Sequence, residues 1–226
     1  MFKLEKINAL HGKTDTPQIL TQPKAKPTAS SFAEYVFWCN KTKINRKRED
    51  STAIQARMKT GRNAHLSINE LTTTLGYKKA FGNIGPSEWE LIFVDNGEMK
   101  GKSFANSQLT LNSEALACIP DVVLRYANTN NYLVLENKTT NVPAHLIPEQ
   151  GWPNVQAQLW VYSWIDALLS ADRVYLAPIY WTWDNQNNIV PIKDASHLFP
   201  VIERGDTEHE STYRELFKRW GGEVHL

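Results

Sequence analysis

The sequence predicts an α/β fold, a mixed central sheet flanked by helices. Three observations carry that expectation. From Asp50 or Ser51 to Leu75 apolar residues recur at helical spacing. Two strand-like runs, Val122–Tyr126 and Tyr132–Leu135, flank an Asn-rich break at 128–131, the pattern of a hairpin. A second helical stretch, 152–171, leads into the mostly apolar ADRVYLAPIYW (171–181), which reads as a buried strand.

Taken in order, residues 1–30 are interrupted by Pro17, Pro23 and Pro27, and PKAKPTAS reads as a linker. They are expected to form an N-terminal extension to a single domain over 31–226. SSFAEYVFWCN reads as a short amphipathic helix with Phe32, Tyr35, Val36 and Cys39 on one face. The next helix, capped by Asp50 or Ser51, carries Ile54, Met58, Gly61, His65, Ile68, Leu71 and Leu75 at steps of three and four. Gly61 and His65 therefore face inward, and a glycine on that stripe implies a close neighbour.

SEWELIFVDNGEMKG (87–101) reads as a strand, a turn at Asp95-Asn96-Gly97 and a return strand. The 122–135 hairpin follows. In the 152–171 helix Pro153 suits the first turn, and Gln158, Tyr162, Ile165 and Leu169 share a stripe. NQNNIVPI turns into a further strand, and Thr207–Trp220 is a terminal helix stopped by Gly221-Gly222.

With 226 residues, 42% of them hydrophobic, the chain can bury a proper core. It has no apolar run of membrane-spanning length, and MFKLEKINALHGKTD has no signal-peptide core. A soluble cytoplasmic protein is expected. Cys39 and Cys118 form no zinc spacing and read as buried thiols. The net charge of +1 excludes a uniformly basic nucleic-acid binder. The charge is uneven, however. Lys41, Lys43, Arg46, Lys47, Arg48, Arg57, Lys59 and Arg62 face only Glu49 and Asp50, giving +6 over 41–62 and −5 elsewhere. That stretch is either a phosphate-binding face or a solvated helix face. Trp152, Trp160, Trp164, Tyr180, Trp181 and Trp183 read as core aromatics in preference to a base-stacking platform.

The chemistry gathers at the ends of the 122–135 hairpin. Residues two apart on a strand share a face, so Glu136 and Lys138 point together and Asn137 points away. With Asp121 on the adjacent strand, three charged heads can converge. Two carboxylates are hard oxygen ligands for Mg²⁺ or Mn²⁺. A neighbouring lysine can hold or deprotonate a water and neutralise charge on a phosphate. Alone, the trio reads equally as a solvated strand end. His65 is either a hydrogen-bonded core residue or a ligand. Gln158, polar on an apolar stripe and one turn from Tyr162, is either satisfied in the core or reaches a site beneath the helix.

Together GRNAH (61–65), IPD (119–121), ENK (136–138) and QLWVY (158–162) resemble the RecB-type branch of the PD-(D/E)xK nuclease superfamily. The resemblance spans about 31–181. It implies a restriction-endonuclease-like αβββαβ core and a metal-dependent deoxyribonuclease, exo or endo, of DNA repair, recombination or phage and anti-phage processing. It implies metal ligation by His65, Asp121 and Glu136, helped by the Ile119 or Asn137 carbonyl. Lys138 corresponds to the catalytic lysine, and Gln158 and Tyr162 to the pair that orients the lysine or the DNA. The basic residues Lys41, Lys43, Arg46, Lys47, Arg48, Arg57 and Arg62 would then grip DNA phosphates.

The sequence also departs from the family. Asn69 stands where relatives often have an acid four residues after the histidine, and Glu70 points elsewhere. Some relatives hold an iron–sulfur cluster on four cysteines. With two, none is expected here. No GxxxxGK[ST] loop occurs, so any unwinding would come from a partner helicase. A second class stays open: a non-cleaving DNA-binding or scaffold module of the same fold.

Overall fold

A computed structural model of the chain describes residues 19–21, 27–40, 51–75, 89–95, 102–192 and 201–226. In chain order its strands are β1 (Ile19–Thr21), β2 (Trp89–Val94), β3 (Lys102–Leu111), β4 (Glu114–Cys118), β5 (Val122–Tyr126), β6 (Asn131–Thr139), β7 (Arg173–Trp183), β8 (Ile189–Pro191), β9 (Ile202–Glu203) and β10 (Gly222–Val224). The helices are α1 (Ala29–Asn40), α2 (Ser51–Leu75), α3 (Pro153–Ser163) and α4 (Thr207–Arg219). No helix among the described residues is long and apolar enough to cross a membrane.

The larger sheet runs β2-β5-β6-β7-β8, with β9 also pairing β7. It is mixed. The hairpin β5–β6 is antiparallel, Val122 opposite Leu135, and Asn128 takes the left-handed backbone its turn requires (φ 59°). β6 and β7 run parallel, Asn131 opposite Arg173 through to Thr139 opposite Trp181. A parallel step needs a crossover, and α3 supplies it. The expected α/β architecture, a mixed sheet with helices, is present.

The sheet's two faces are buried differently. Val123, Tyr132, Val134, Val174 and Leu176 pack with α3, α1 and α4. Val122, Leu124, Leu133, Leu135, Ile179 and Trp181 pack with Ile68 of α2. Pro153 opens α3, whose residues from Val155 to Ser163 are all buried. α1 is capped by Thr28, whose Oγ1 accepts the Ser31 N–H at 3.0 Å. Its Phe32 sits edge-on to Phe217 of α4, 5.1 Å between centroids, and against Trp160 of α3. Trp160, Tyr180 and Trp181 are fully buried, as the core reading of the aromatics expects.

Several expectations need correction. The return strand expected by residue 101, and all of its turn beyond Asp95, lie outside the described residues. The next described strand, β3, enters a second sheet with β1, β4 and β10, while β5 takes the edge of β2. The hairpin that does form is β3–β4, closed by Asn112 and Ser113, both left-handed (φ 52° and 63°). β1 brings residues of the N-terminal extension into that second sheet. Cys39 is exposed and only Cys118 is buried, because the core contact of α1 ends at Val36. Among the described residues nothing packs closely at Gly61: a Cβ there would meet no neighbouring atom within 4 Å outside the helix's own backbone.

α3 also stops at Ser163, so Ile165 and Leu169 do not continue its stripe, and Leu169 is exposed. Two polar clasps bend the chain there into a 3₁₀ turn at Asp166–Leu168. Asp166 Oδ1 accepts the Ser107 N–H and hydroxyl, both at 2.8 Å. The Arg204 guanidinium donates to the carbonyls of Ser163, Leu168 and Ala171 at 3.2, 2.8 and 3.0 Å and lies over Trp164. Arg204→Met would leave three carbonyls without their charged donor. The expected loss of stability is about 2–4 kcal/mol by chemical denaturation, and an unchanged midpoint would show that the turn holds itself.

Candidate active site

The site lies where the open end of the β5–β6 hairpin meets α2 and α3. Glu136 and Lys138 continue the face of Tyr132 and Val134, toward α3. Asn137 faces the other way, its Oδ1 accepting the Trp181 indole N–H at 2.9 Å. Asp121 precedes β5 directly. Its Oδ2 accepts the Asn137 backbone N–H at 2.7 Å, which fixes one carboxylate beside the next strand. Lys138 Nζ meets Glu136 Oε1 at 2.5 Å, and His65 Nδ1 stands 3.5 Å from Asp121 Oδ1. From the α3 side the Gln158 amide donates to the Tyr162 hydroxyl at 3.2 Å and reaches Ser30 at 3.4 Å. Residues from four separate stretches of chain thus meet around two carboxylates.

Both carboxylates are buried, Glu136 to within 2% of full burial and Asp121 to within 7%. Among the described residues Glu136 Oε2 has no hydrogen-bond partner. An unpartnered buried carboxylate oxygen is costly, and it marks a place where a donor or cation belongs. Burial, then repulsion from Asp121, pushes the Glu136 carboxyl up to about 7, although Lys138 and His65 oppose this. Burial alone would raise Asp121 too, but the His65 hydrogen bond and the His65 and Lys138 charges hold it below the usual range. For Lys138 and His65 burial disfavours the cation, and the carboxylates outweigh it, so both are raised. Burial and the same two carboxylates hold the Tyr162 phenol far up, so it stays a neutral hydroxyl.

The sign for stability follows. Between about 4.5 and 7 folded Glu136 keeps a proton that the unfolded chain has released. Stability therefore falls as pH rises through that window, and the full cost is present above it. His65, also raised, loses stabilisation in the same direction as pH rises through its folded value. In EDTA, Glu136→Gln is expected to be more stable than the parent at about pH 8 and not at about pH 5. The gap is on the order of 2 kcal/mol, about 4–8 °C in midpoint for a chain of this size. Parallel melting curves at both pH values would rule this out.

The donor set fits a divalent cation: two carboxylates, one of them with an oxygen that has no partner among the described residues, and one imidazole. Among the described residues no three His, Cys, Asp or Glu heads are preassembled at metal-holding distances. The donors stand in two adjoining pairs, His65 with Asp121 and Glu136 with Lys138.

Of the residues singled out from the sequence, His65, Asp121, Glu136, Lys138, Gln158 and Tyr162 are brought together. Lys41, Lys43, Arg46, Lys47 and Arg48 lie outside the described residues, as do the side chains of Arg57 and Arg62. Asn69 gains a role that sequence reasoning did not assign. Its amide donates to the Asp95 carbonyl, and the Asp95 N–H donates to the Asp121 carbonyl at 2.9 Å. These two bonds tie the His65 helix to the segment carrying Asp121. The available signal was a polar residue one turn beyond His65 on the inward side.

No protein-family model matches this chain, and no curated protein matches it. A solved structure, that of SSO0001, shares 16% identity over 95% of this chain and 81% of that one, with a TM-score of 0.37. A likeness that loose carries no inference about fold or chemistry.

Proposed function

We propose that this chain is a metal-dependent deoxyribonuclease of the RecB-type PD-(D/E)xK kind, hydrolysing DNA phosphodiester bonds. The observation that carries the reading is the buried Asp121–Glu136 pair with an unpartnered carboxylate oxygen, met by Lys138 on one side and His65 on the other. The succession α2, β2, β5, β6, α3, β7 also follows the αβββαβ order of that fold, with the β3–β4 hairpin as an insertion in a second sheet.

Asp121, Glu136 and His65 would hold Mg²⁺ or Mn²⁺. When bound, the ion polarises a phosphoryl oxygen and acidifies a water. The protein's own groups do the rest. Asp121 and Glu136 supply the charge that retains the ion, and binding expels the proton that Glu136 keeps near neutrality. Lys138, raised by both carboxylates, stays an ammonium. Before an ion binds, it is suited to hold a water or to neutralise charge growing on a phosphate. Tyr162, neutral and bonded to Gln158, supplies a hydroxyl at the floor of the site. The Gln158 amide also reaches the exposed Ser30 hydroxyl at 3.4 Å, a bond that joins α3 to α1.

The test is cleavage of linear, circular and single-stranded DNA by the purified chain, with Mg²⁺, Mn²⁺ or EDTA. The expected result is metal-dependent cleavage of at least one form that EDTA abolishes. DNA binding without cleavage under either metal would replace the reading with a non-cleaving binding module of the same fold.

A further inference from the structure

A cavity of about 460 Å³ opens where the start of α3, β9 and the first turns of α4 come together. Small-molecule sites span about 300–1,000 Å³, so its size suits one. It is separate from the candidate active site. Gln156 lines it, and on an α-helix a residue two places on, here Gln158, points about 200° away around the axis. The cavity and the carboxylate centre thus lie against different sides of α3.

Three of its lining side chains, Gln156, His209 and Tyr213, are polar and more than nine-tenths buried. The Gln156 amide nitrogen donates to the Gln150 carbonyl at 2.6 Å, so its Oε1 is the atom that stands 3.2 Å from His209 Nε2. His209 Nε2 therefore carries the proton, and Nδ1 is left an acceptor. Burial drives the His209 imidazole down to about 4, against Asp206 and Glu210, so the ring is neutral near pH 7. The Tyr213 ring lies 4.8 Å from it, centroid to centroid. Burial holds the Tyr213 phenol up, so it too is neutral. Among the described residues the Tyr213 hydroxyl has no hydrogen-bond partner. A polar group this deeply buried and left without a partner marks a place where a ligand atom belongs.

The rim is charged where the floor is neutral. Glu203, Asp206 and Glu208 are exposed around it, and among the described residues no lysine or arginine lines the cavity. Glu203 stands 3.7 Å from Arg173 Nε, and Asp206 accepts the His209 N–H at 3.0 Å as the cap of α4. Glu208 makes no ion pair among the described residues. A helix N-terminus by itself attracts an anion. Here the Asp206 cap, with Glu208 and Glu210 in the first turn, reverses that sign.

We propose that this cavity binds a small organic cation bearing a primary ammonium or guanidinium group. The Tyr213 hydroxyl would accept one of its N–H groups. The Tyr213 ring offers a face to the charge, and the rim carboxylates draw the cation in. A neutral molecule would leave the rim charge unanswered, and an anion would be repelled by it. The proposal stands apart from the nuclease reading and uses none of its residues.

The test is isothermal titration of the full chain at constant ionic strength with two cations, n-pentylammonium and agmatine. Matched probes of similar length, neutral 1-pentanol and anionic pentanoate, serve as the contrast. At least one cation is expected to bind saturably at one site per chain, and neither contrast probe is. Tyr213→Phe keeps the ring and removes the hydroxyl. It should weaken the cation by roughly tenfold or more, the cost of one hydrogen bond to a charged group. Glu208→Lys reverses the charge at an exposed position, so it should fold as the parent does and abolish binding even if Tyr213→Phe proves unstable. The His209 ring signals in an NMR spectrum should shift with the cation and not with the contrast probes. No saturable binding of either cation would overturn the proposal. So would equal binding by Glu208→Lys, equal binding by a folded Tyr213→Phe, or pentanoate or 1-pentanol binding as tightly as the cations.

Discussion

Lys138→Ala is expected to slow DNA cleavage by about 10²–10³-fold, the usual cost of removing one charge-stabilising donor from a reacting centre. The variant should fold. Lys138 contributes its stem and ammonium to Glu136, and the strand itself is held by β5 and β7 on either side. One complication can be separated. Lys138 is among the groups that favour ionised Glu136. Without it, Glu136 keeps its proton to higher pH, which would weaken metal binding indirectly. If that were the only role, the defect would vanish at about pH 9 with saturating Mn²⁺. A direct role on the water or phosphate predicts a defect that persists there. Equal cleavage by parent and variant under all these conditions would show that Lys138 is not the catalytic lysine.

Asp121→Asn is expected to have an equal or larger effect, and by another route. The amide oxygen can still accept the Asn137 N–H that Asp121 now accepts at 2.7 Å, so the hairpin ends should stay registered. The carboxylate charge is what is lost. Loss of a ligand that is anionic and held in place should weaken Mn²⁺ binding by well over the 10–100-fold typical of removing a group that only supports a ligand. Isothermal titration with Mn²⁺ reads this directly, and cleavage should fall below detection at millimolar metal. His65 would lose the partner that raises it and would become neutral at lower pH. An NMR titration of the His65 ring provides an independent check. Unchanged Mn²⁺ affinity would mean that Asp121 only braces the hairpin.

Much of this centre was legible because its residues sit on strong local patterns. The 122–135 hairpin announces itself by two apolar runs and an Asn-rich turn, and parity along β6 then separates Glu136 and Lys138 from Asn137. His65 and the Gln158/Tyr162 pair fall at helical spacing on helices that form where expected. What stayed hidden depends on distant partners. β3 carries Asn106, which no strand pattern predicts in a core. It is fully buried because its amide donates to the Val161 carbonyl and its Oδ1 accepts the Leu109 N–H. The end of α3 is set by Arg204 and by Ser107, far along the chain in either direction, so periodicity ran past it. Asn69 looked like an absent acid, and its tie to Asp95 is visible only once α2 lies across the end of β2.

The claim on which the rest depends is that Asp121, Glu136 and His65 form one metal centre with Lys138 at its edge. Crystals grown without metal and then equilibrated with Mn²⁺ test it in a single anomalous difference map at the manganese edge. The expected result is a peak within about 2.0–2.6 Å of carboxylate oxygens from both Asp121 and Glu136, with the unpartnered Glu136 Oε2 as a ligand. A map with no peak at this pair under saturating Mn²⁺, or with the ion held elsewhere in the chain, would contradict it.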